Sequence, residues 1–186
     1  MTDRAASASN LVISFSDCAL KERLSAKLCV SYGRWLGGFV TREIRRGNSR
    51  EGFEVEALGG GKAVLASKAI LSPVAFNKYG VDLRALEGTA LPALEAALAA
   101  GKVLVFDELG PMALLSPAFA ARAVELLFSG APCLVFYRRG ARAFEDAFGR
   151  MSDTAIIELT PGTWAEAVAA AQAWLDRLAG RIEGPR

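Results

Sequence analysis

Apolar positions along this chain fall into two kinds of run, and the two kinds alternate. Leu11-Val12-Ile13 anchor a strand predicted over 10–16. After it, Leu20, Leu24 and Leu28 recur every fourth residue, so 18–31 reads as a helix with one apolar face. "WLGGFVTRE" (35–43) reads as a strand. In "EGFEVEAL" (51–58) Phe53, Val55 and Ala57 alternate with Glu54 and Glu56, the pattern of a half-buried strand. "GGGK" (59–62) is a turn, and "AVLAS" (63–67) returns as the second arm of a hairpin. "VAFNKYGV" (74–81) adds a short extended segment. An Ala/Leu-rich helix follows over 83–100, restarted or kinked at Pro92 and ended by Gly101.

In "KVLVFDEL" (102–109) the run from Val103 to Phe106 has no alternation, as a parallel strand covered on both faces requires. Ser116-Pro117 starts a helix, with serine as cap and proline in the first turn, that reaches about 129. "PCLVFY" (132–137) is a second buried strand; a short helix (142–149) and a strand (154–158) follow. The last helix begins at Thr163, with Glu166 completing a capping box, and runs to about Leu178. Strands alternating with helices predict an α/β fold: a three-layer sandwich with a mostly parallel central sheet and a β-hairpin insertion at about 40–80. No linker or repeat interrupts it, so 1–186 is read as one domain, with polar residues 1–9 as a flexible N-terminal tail.

Composition narrows the chemistry. The chain is 52% apolar and 23% charged with a net charge of +2, a globular balance that makes no bulk case for nucleic acid or an anionic membrane. Arg138, Arg139 and Arg142 form a local basic cluster, read as a solvated loop. There are 0 histidines, which removes histidine acid–base catalysis, Ser-His and Cys-His nucleophiles and most zinc sites. Cys18, Cys29 and Cys133 are widely spaced and read as free, buried thiols of a reducing compartment. With no apolar leader and no long uncharged apolar run, the expectation is a cytoplasmic protein that does not span a membrane.

Two stretches could carry chemistry. Asp107-Glu108 closes the buried strand after "VLVF". An aspartate there can face a magnesium ion, and the next carboxylate can orient an attacking water, because ligands of open α/β sheets gather at the carboxyl ends of the strands. Equally, a strand ending in acids can simply be emerging into water. The second stretch is "SFSDCALKERL" (14–24), which lies between strand and helix, where a phosphate loop G-x-x-x-x-G-K-[ST] would lie. Setting Lys21 at the motif lysine places Phe15 and Leu20 at the glycines and Glu22 at the hydroxyl residue. Phe15 and Leu20 would crowd a phosphate; Glu22 would turn a carboxylate toward it; Asp17 or Ser16 could cap the helix where the phosphate would sit. On the loop alone, Lys21 reads as a solvent-facing helix lysine.

The middle of the chain resembles a small nucleoside-triphosphatase family of P-loop proteins, the cancer-related or THEP type. "GFVTREIRRGNSREGFEVEAL" matches its G-F-x-T-x-E-[IV]-R and R-x-G-F pattern through Gly38, Phe39, Thr41, Glu43, Arg45, Arg50, Gly52 and Phe53. Lys78, Tyr79 and Val81 match a G-K-Y-x-V segment, and "VFDELGPMALLSPAF" a D-E-I-G-K-M-E-L segment, in order from about 10 to 175. The resemblance implies a P-loop fold, with magnesium and a nucleoside triphosphate as cofactors. It implies Lys21 and Glu108 as catalytic residues, Asp107 as the metal residue, and Lys21, Asp107, Thr41, Glu43 and Arg45 as binding residues. The departures are concentrated near the nucleotide: Phe15, Leu20 and Glu22 in the loop, and Pro111 and Ala113 in place of a lysine and a glutamate. A scaffold kept while its active site diverged points to a pseudo-NTPase that works as a binding, assembly or regulatory protein with a protein partner. The alternatives are an active nucleoside-triphosphatase or phosphotransferase with an atypical loop, and a site reused for another anionic small molecule beside Thr41, Glu43 and Arg45. There Glu43 and Arg45 could instead pair to hold the hairpin.

Overall fold

The computed structural model describes residue 5 and residues 7–183. The chain runs β1 (Asn10–Phe15), α1 (Cys18–Tyr32), β2 (Leu36–Arg46), β3 (Ser49–Ala57), β4 (Lys62–Ser67), β5 (Ala75–Phe76), β6 (Tyr79–Val81), α2 (Leu83–Ala99), β7 (Val103–Leu109), α3 (Pro117–Leu127), β8 (Cys133–Arg138), α4 (Arg142–Arg150), β9 (Thr154–Leu159) and α5 (Trp164–Glu183). The strands join one sheet in the order β5-β6-β4-β3-β2-β7-β8-β1-β9. From β2 through β7, β8 and β1 to β9 every pairing is parallel. From β2 through β3, β4 and β6 to β5 every pairing is antiparallel. The region expected as a hairpin insertion is therefore the antiparallel half of the sheet itself, and β2 belongs to both halves.

The unbroken apolar run of β7 has a simple cause. Val103 and Val105 pack with Leu24, Leu28, Trp174 and Leu175 of α1 and α5. Leu104 and Phe106 pack on the opposite face with Leu94, Phe119 and Phe144 of α2, α3 and α4. Two cores on one sheet make the three layers. Phe39 meets Phe106 and Phe119 edge-on at 6.4 and 5.8 Å. Gly38 lets β2 lie this close to β7: its φ is +118°, and a Cβ would stand 2.3 Å from the Val105 carbonyl oxygen.

Several local expectations shift. The segment 74–81 is a pair of short strands turning at Asn77, whose φ is 53°. Pro92 lies inside α2 without ending it. Ser116 caps α3 as its sequence position suggests, accepting from the Phe119 amide at 3.0 Å. Thr163 precedes α5, but its hydroxyl turns back, accepting from Thr160 N at 2.9 Å and donating to the Glu158 carbonyl at 2.6 Å. Of the expected tail, residues 1–4 and 6 lie outside the described residues. Ala5 and Ala8 are buried, and the Ala8 carbonyl accepts from Trp174 Nε1 at 2.8 Å, so this end of the chain is packed onto α5.

Candidate functional site

The site lies at the carboxyl ends of β1, β2, β7 and β8. β1 ends at Phe15 and α1 begins at Cys18, so only Ser16 and Asp17 connect them. Asp17 caps the helix: its Oδ1 accepts from Ala19 N at 2.8 Å and Leu20 N at 3.2 Å. The donors that would meet an anion at this helix end are thus met by the chain's own carboxylate. Phe15 and Leu20 do not crowd a phosphate space, contrary to the reading of the loop; both turn into the α1/α5 core.

Lys21 is where the structure departs most from the loop-based reading. It is 2% exposed, not solvent-facing. Its Nζ donates to Asp107 Oδ1 at 2.6 Å and to the Thr41 carbonyl at 2.8 Å, and lies 3.8 Å from Glu108 Oε2. Lys21 thus reaches past β8 to β7 and β2. Ser25, one turn further along α1, also hydrogen-bonds Asp107. Burial works against the lysine's charge, but the Asp107 and Glu108 carboxylates outweigh it and hold its pKa above the usual 10.5. Burial pushes Asp107 up against the pull of Lys21, as expected for a carboxyl only 1% exposed.

Glu108 faces the other way. Its Oε1 accepts from Arg138 Nε at 2.9 Å. Arg138 also donates from Nη2 to Cys18 Sγ at 2.9 Å and lies 5.0 Å over the Phe15 ring. Arg138 is not a solvated loop cation, then; it ties β8 to β7 and to the start of α1. Sequence reasoning missed it, although its place at the carboxyl end of a buried strand was a usable signal. Glu22, at the position of the motif hydroxyl, accepts from the Glu43 amide at 3.2 Å and so braces β2.

The signature residues of the hairpin form their own network. Glu43 accepts from Arg45 Nε at 2.8 Å and from Arg50 Nη1 at 2.7 Å. Arg50 Nε donates to the Tyr79 hydroxyl, which donates to the Arg50 carbonyl, each at 3.2 Å. Glu43 therefore holds β2 to β3 through Arg50, while Arg45 pairs with Glu43 along β2 and its side chain is 54% exposed. Thr41, Lys21, Asp107 and Glu108 do converge.

What remains between Cys18, Lys21, Glu22, Thr41, Glu43, Glu108 and Arg138 is a void of about 10 Å³. That is room for about one water. With Asp107 Oδ1 on Lys21, a carboxylate at position 22 and a helix end capped from within, these residues as arranged do not fit a magnesium–triphosphate group. Among the described residues, no group of three or more His, Cys, Asp or Glu side chains could hold a metal ion. No helix among them is long and apolar enough to cross a membrane.

Comparison with known proteins bears on this geometry. The family model described as NTPase matches residues 20–170. The chain is 36% identical over 126 residues to the nucleoside-triphosphatase THEP1 of Thermococcus kodakarensis, covering 64% of this chain and 70% of that one. It is 32% identical over 123 residues to the nucleoside-triphosphatase THEP1 of Thermotoga maritima, covering 66% and 71%. The crystal structure of THEP1 from the hyperthermophile Aquifex aeolicus superposes with a TM-score of 0.80 at 25% identity, over 90% of this chain and 99% of that one. The solution structure of a human cancer-related nucleoside triphosphatase shares the fold, with a TM-score of 0.66 at 24% identity over 88% and 97%.

Proposed function

The chain belongs to the NTPase family, and we propose that it is a non-hydrolysing member, a pseudo-NTPase that serves as a binding or regulatory protein. The observation that carries this reading is the buried pair of Lys21 and Asp107, 2.6 Å apart with side chains 3% and 1% exposed. In a P-loop enzyme the lysine reaches phosphate oxygens and the aspartate reaches the metal. Here each is the other's partner. Phosphoryl transfer depends almost wholly on positioned charge, and one missing preorganised donor typically costs about 10²–10³ in rate. Losing the phosphate cradle, the hydroxyl and the free aspartate together leaves no arrangement that could lower the barrier.

A second reading is favoured by two observations. The relatives are named as nucleoside-triphosphatases, and Lys21, Asp107 and Glu108 are in contact. An active enzyme would have to pull Lys21 off Asp107 and open the loop before nucleotide could enter. Phosphate release from magnesium-ATP and magnesium-GTP separates the two readings. The pseudoenzyme reading expects a rate indistinguishable from buffer, equal in wild type, Asp107→Asn and Glu108→Gln. Turnover abolished by either substitution would favour the enzyme.

A further inference from the structure

Beside the closed phosphate position, and sharing Thr41, Phe53, Glu108 and Arg138 with it, is a larger cavity of about 220 Å³. It lies between the β2–β3 hairpin, the β5–β6 turn and the loop after β7. Its walls are apolar through Phe53, Leu65, Phe76, Leu86, Pro111 and Met112. Its polar groups are few: Thr41, Arg50, Glu108, Arg138 and the amide of Asn77.

Three features give the cavity a preference. First, its two guanidinium groups are each paired with a carboxylate, Arg50 with Glu43 and Arg138 with Glu108, so the donors they present are charged ones held in place. Second, each guanidinium keeps an unused arm. Arg138 spends Nε and Nη2 on Glu108 and Cys18. Arg50 spends Nε and Nη1 on Tyr79 and Glu43. Among the described residues, no acceptor meets Nη1 of Arg138 or Nη2 of Arg50. Third, Thr41 is 8% exposed and lines the cavity, with its carbonyl taken by Lys21 Nζ. Gly110 keeps the wall thin here: a Cβ would stand 3.2 Å from Glu108 Oε1 and 3.3 Å from Arg138 Cβ. Pro111 and Ala113, two of the departures from the family pattern, also line this space and make it more apolar.

The size limits the ligand. A dry cavity of about 150 Å³ holds benzene, whereas drug-sized ligands occupy roughly 300 Å³ or more. We propose that this cavity binds a small aromatic carboxylic acid, a single ring bearing one anionic head. The ring lies against Phe53, Phe76 and Met112, and the carboxylate meets Arg50, Arg138 and the Thr41 hydroxyl. The inference does not rest on the non-hydrolysing reading: Thr41, Glu108 and Arg138 border both spaces, but Phe76, Leu86, Pro111 and Met112 line this cavity and not the closed phosphate position.

The test is saturation-transfer NMR on the full chain with phenylacetate, and with phenylacetamide as the neutral isostere. Phenylacetate is expected to bind saturably below ~10 mM, and the amide at least about tenfold more weakly, since the charge-assisted bonds are worth ~1.5–3 kcal/mol. Met112→Trp, which fills the space without altering charge, is expected to abolish binding. Thr41→Val is expected to weaken it severalfold with folding retained, so the proposal stays testable if the tryptophan variant does not fold. No saturable binding of phenylacetate, equal binding of acid and amide, or binding untouched by both substitutions overturns it. Magnesium-ATP titrated into the same samples keeps the two readings apart. Phosphate release from the magnesium-ATP with the acid still bound removes the non-hydrolysing reading alone; no phosphate release and no acid binding removes this proposal alone.

Discussion

Lys21 has a buried protein partner in Asp107, and its energetics should show it. Breaking a buried ion pair by removing one member typically costs about 3–5 kcal/mol, because the other charge is left uncompensated, whereas replacing both by apolar groups is often near neutral. Lys21→Met should therefore destabilise the fold by about that amount in urea or guanidinium unfolding. Lys21→Met combined with Asp107→Leu should recover at least half of the loss. If Lys21→Met proves neutral, the pair does not hold the site closed. The lysine also leaves a signature in pH. Its folded pKa lies above 10.5, so its contribution is fully present below 10.5 and is lost as pH rises through the higher folded value. Tyr32 and Tyr137, each pushed up to about 12 by burial and then by a carboxylate partner, add to the same alkaline loss. The unfolding midpoint of the wild type should fall more steeply with pH above 10.5 than that of Lys21→Met, whose profile keeps only the parts from the tyrosines and from the thiols of Cys29 and Cys133. Burial likewise pushes Cys133 to about 12, so this thiol should resist a thiol reagent at neutral pH until the protein unfolds.

At the scale of elements, β2 is the joint of the molecule, since it pairs parallel with β7 and antiparallel with β3. Gly38→Ala tests that joint. It forces a side chain onto a φ of +118° and drives a Cβ to within 2.3 Å of the Val105 carbonyl. The expected cost is about 3 kcal/mol or more, read from a denaturant midpoint with an unchanged slope. Most elements were legible in the sequence because local pattern and tertiary demand agree in them. The four apolar residues of β7 need two covering layers and have them; Ser116-Pro117 reads as a helix start and is one. Signals failed where partners come from far along the chain. The alternation of β3 and β4 announces a hairpin but not which strand it joins, so half of the sheet read as an insertion. Thr163 and Glu166 have capping-box spacing, yet the Thr163 hydroxyl is drawn backward by Glu158 and Thr160. The burial of Lys21 depends on a two-residue turn and on β8 separating β1 from β7, neither of which hydrophobic period reports. Arg138 hides in a run of arginines whose other members are more exposed.

For the molecule as a whole, the proposed function separates family membership from family chemistry. The NTPase match covers residues 20–170, and the scaffold it describes is intact: the glycine of the joint, the Glu43–Arg50–Tyr79 network of the hairpin, and the aspartate at the end of β7. At the ends of the parallel strands Asp17 caps α1, Lys21 pairs with Asp107, Glu22 braces β2 and Arg138 pairs with Glu108. The resemblance named Lys21, Asp107 and Glu108, though not Arg138, and not what they would do to one another, because ion pairing across 86 residues of chain is a property of the assembled sheet. Calorimetric titration of the purified chain with magnesium and a non-hydrolysable ATP or GTP analogue tests this directly. The closed site predicts no saturable heat at millimolar nucleotide. Micromolar binding would mean that Lys21 leaves Asp107 for phosphate, and it would contradict the account.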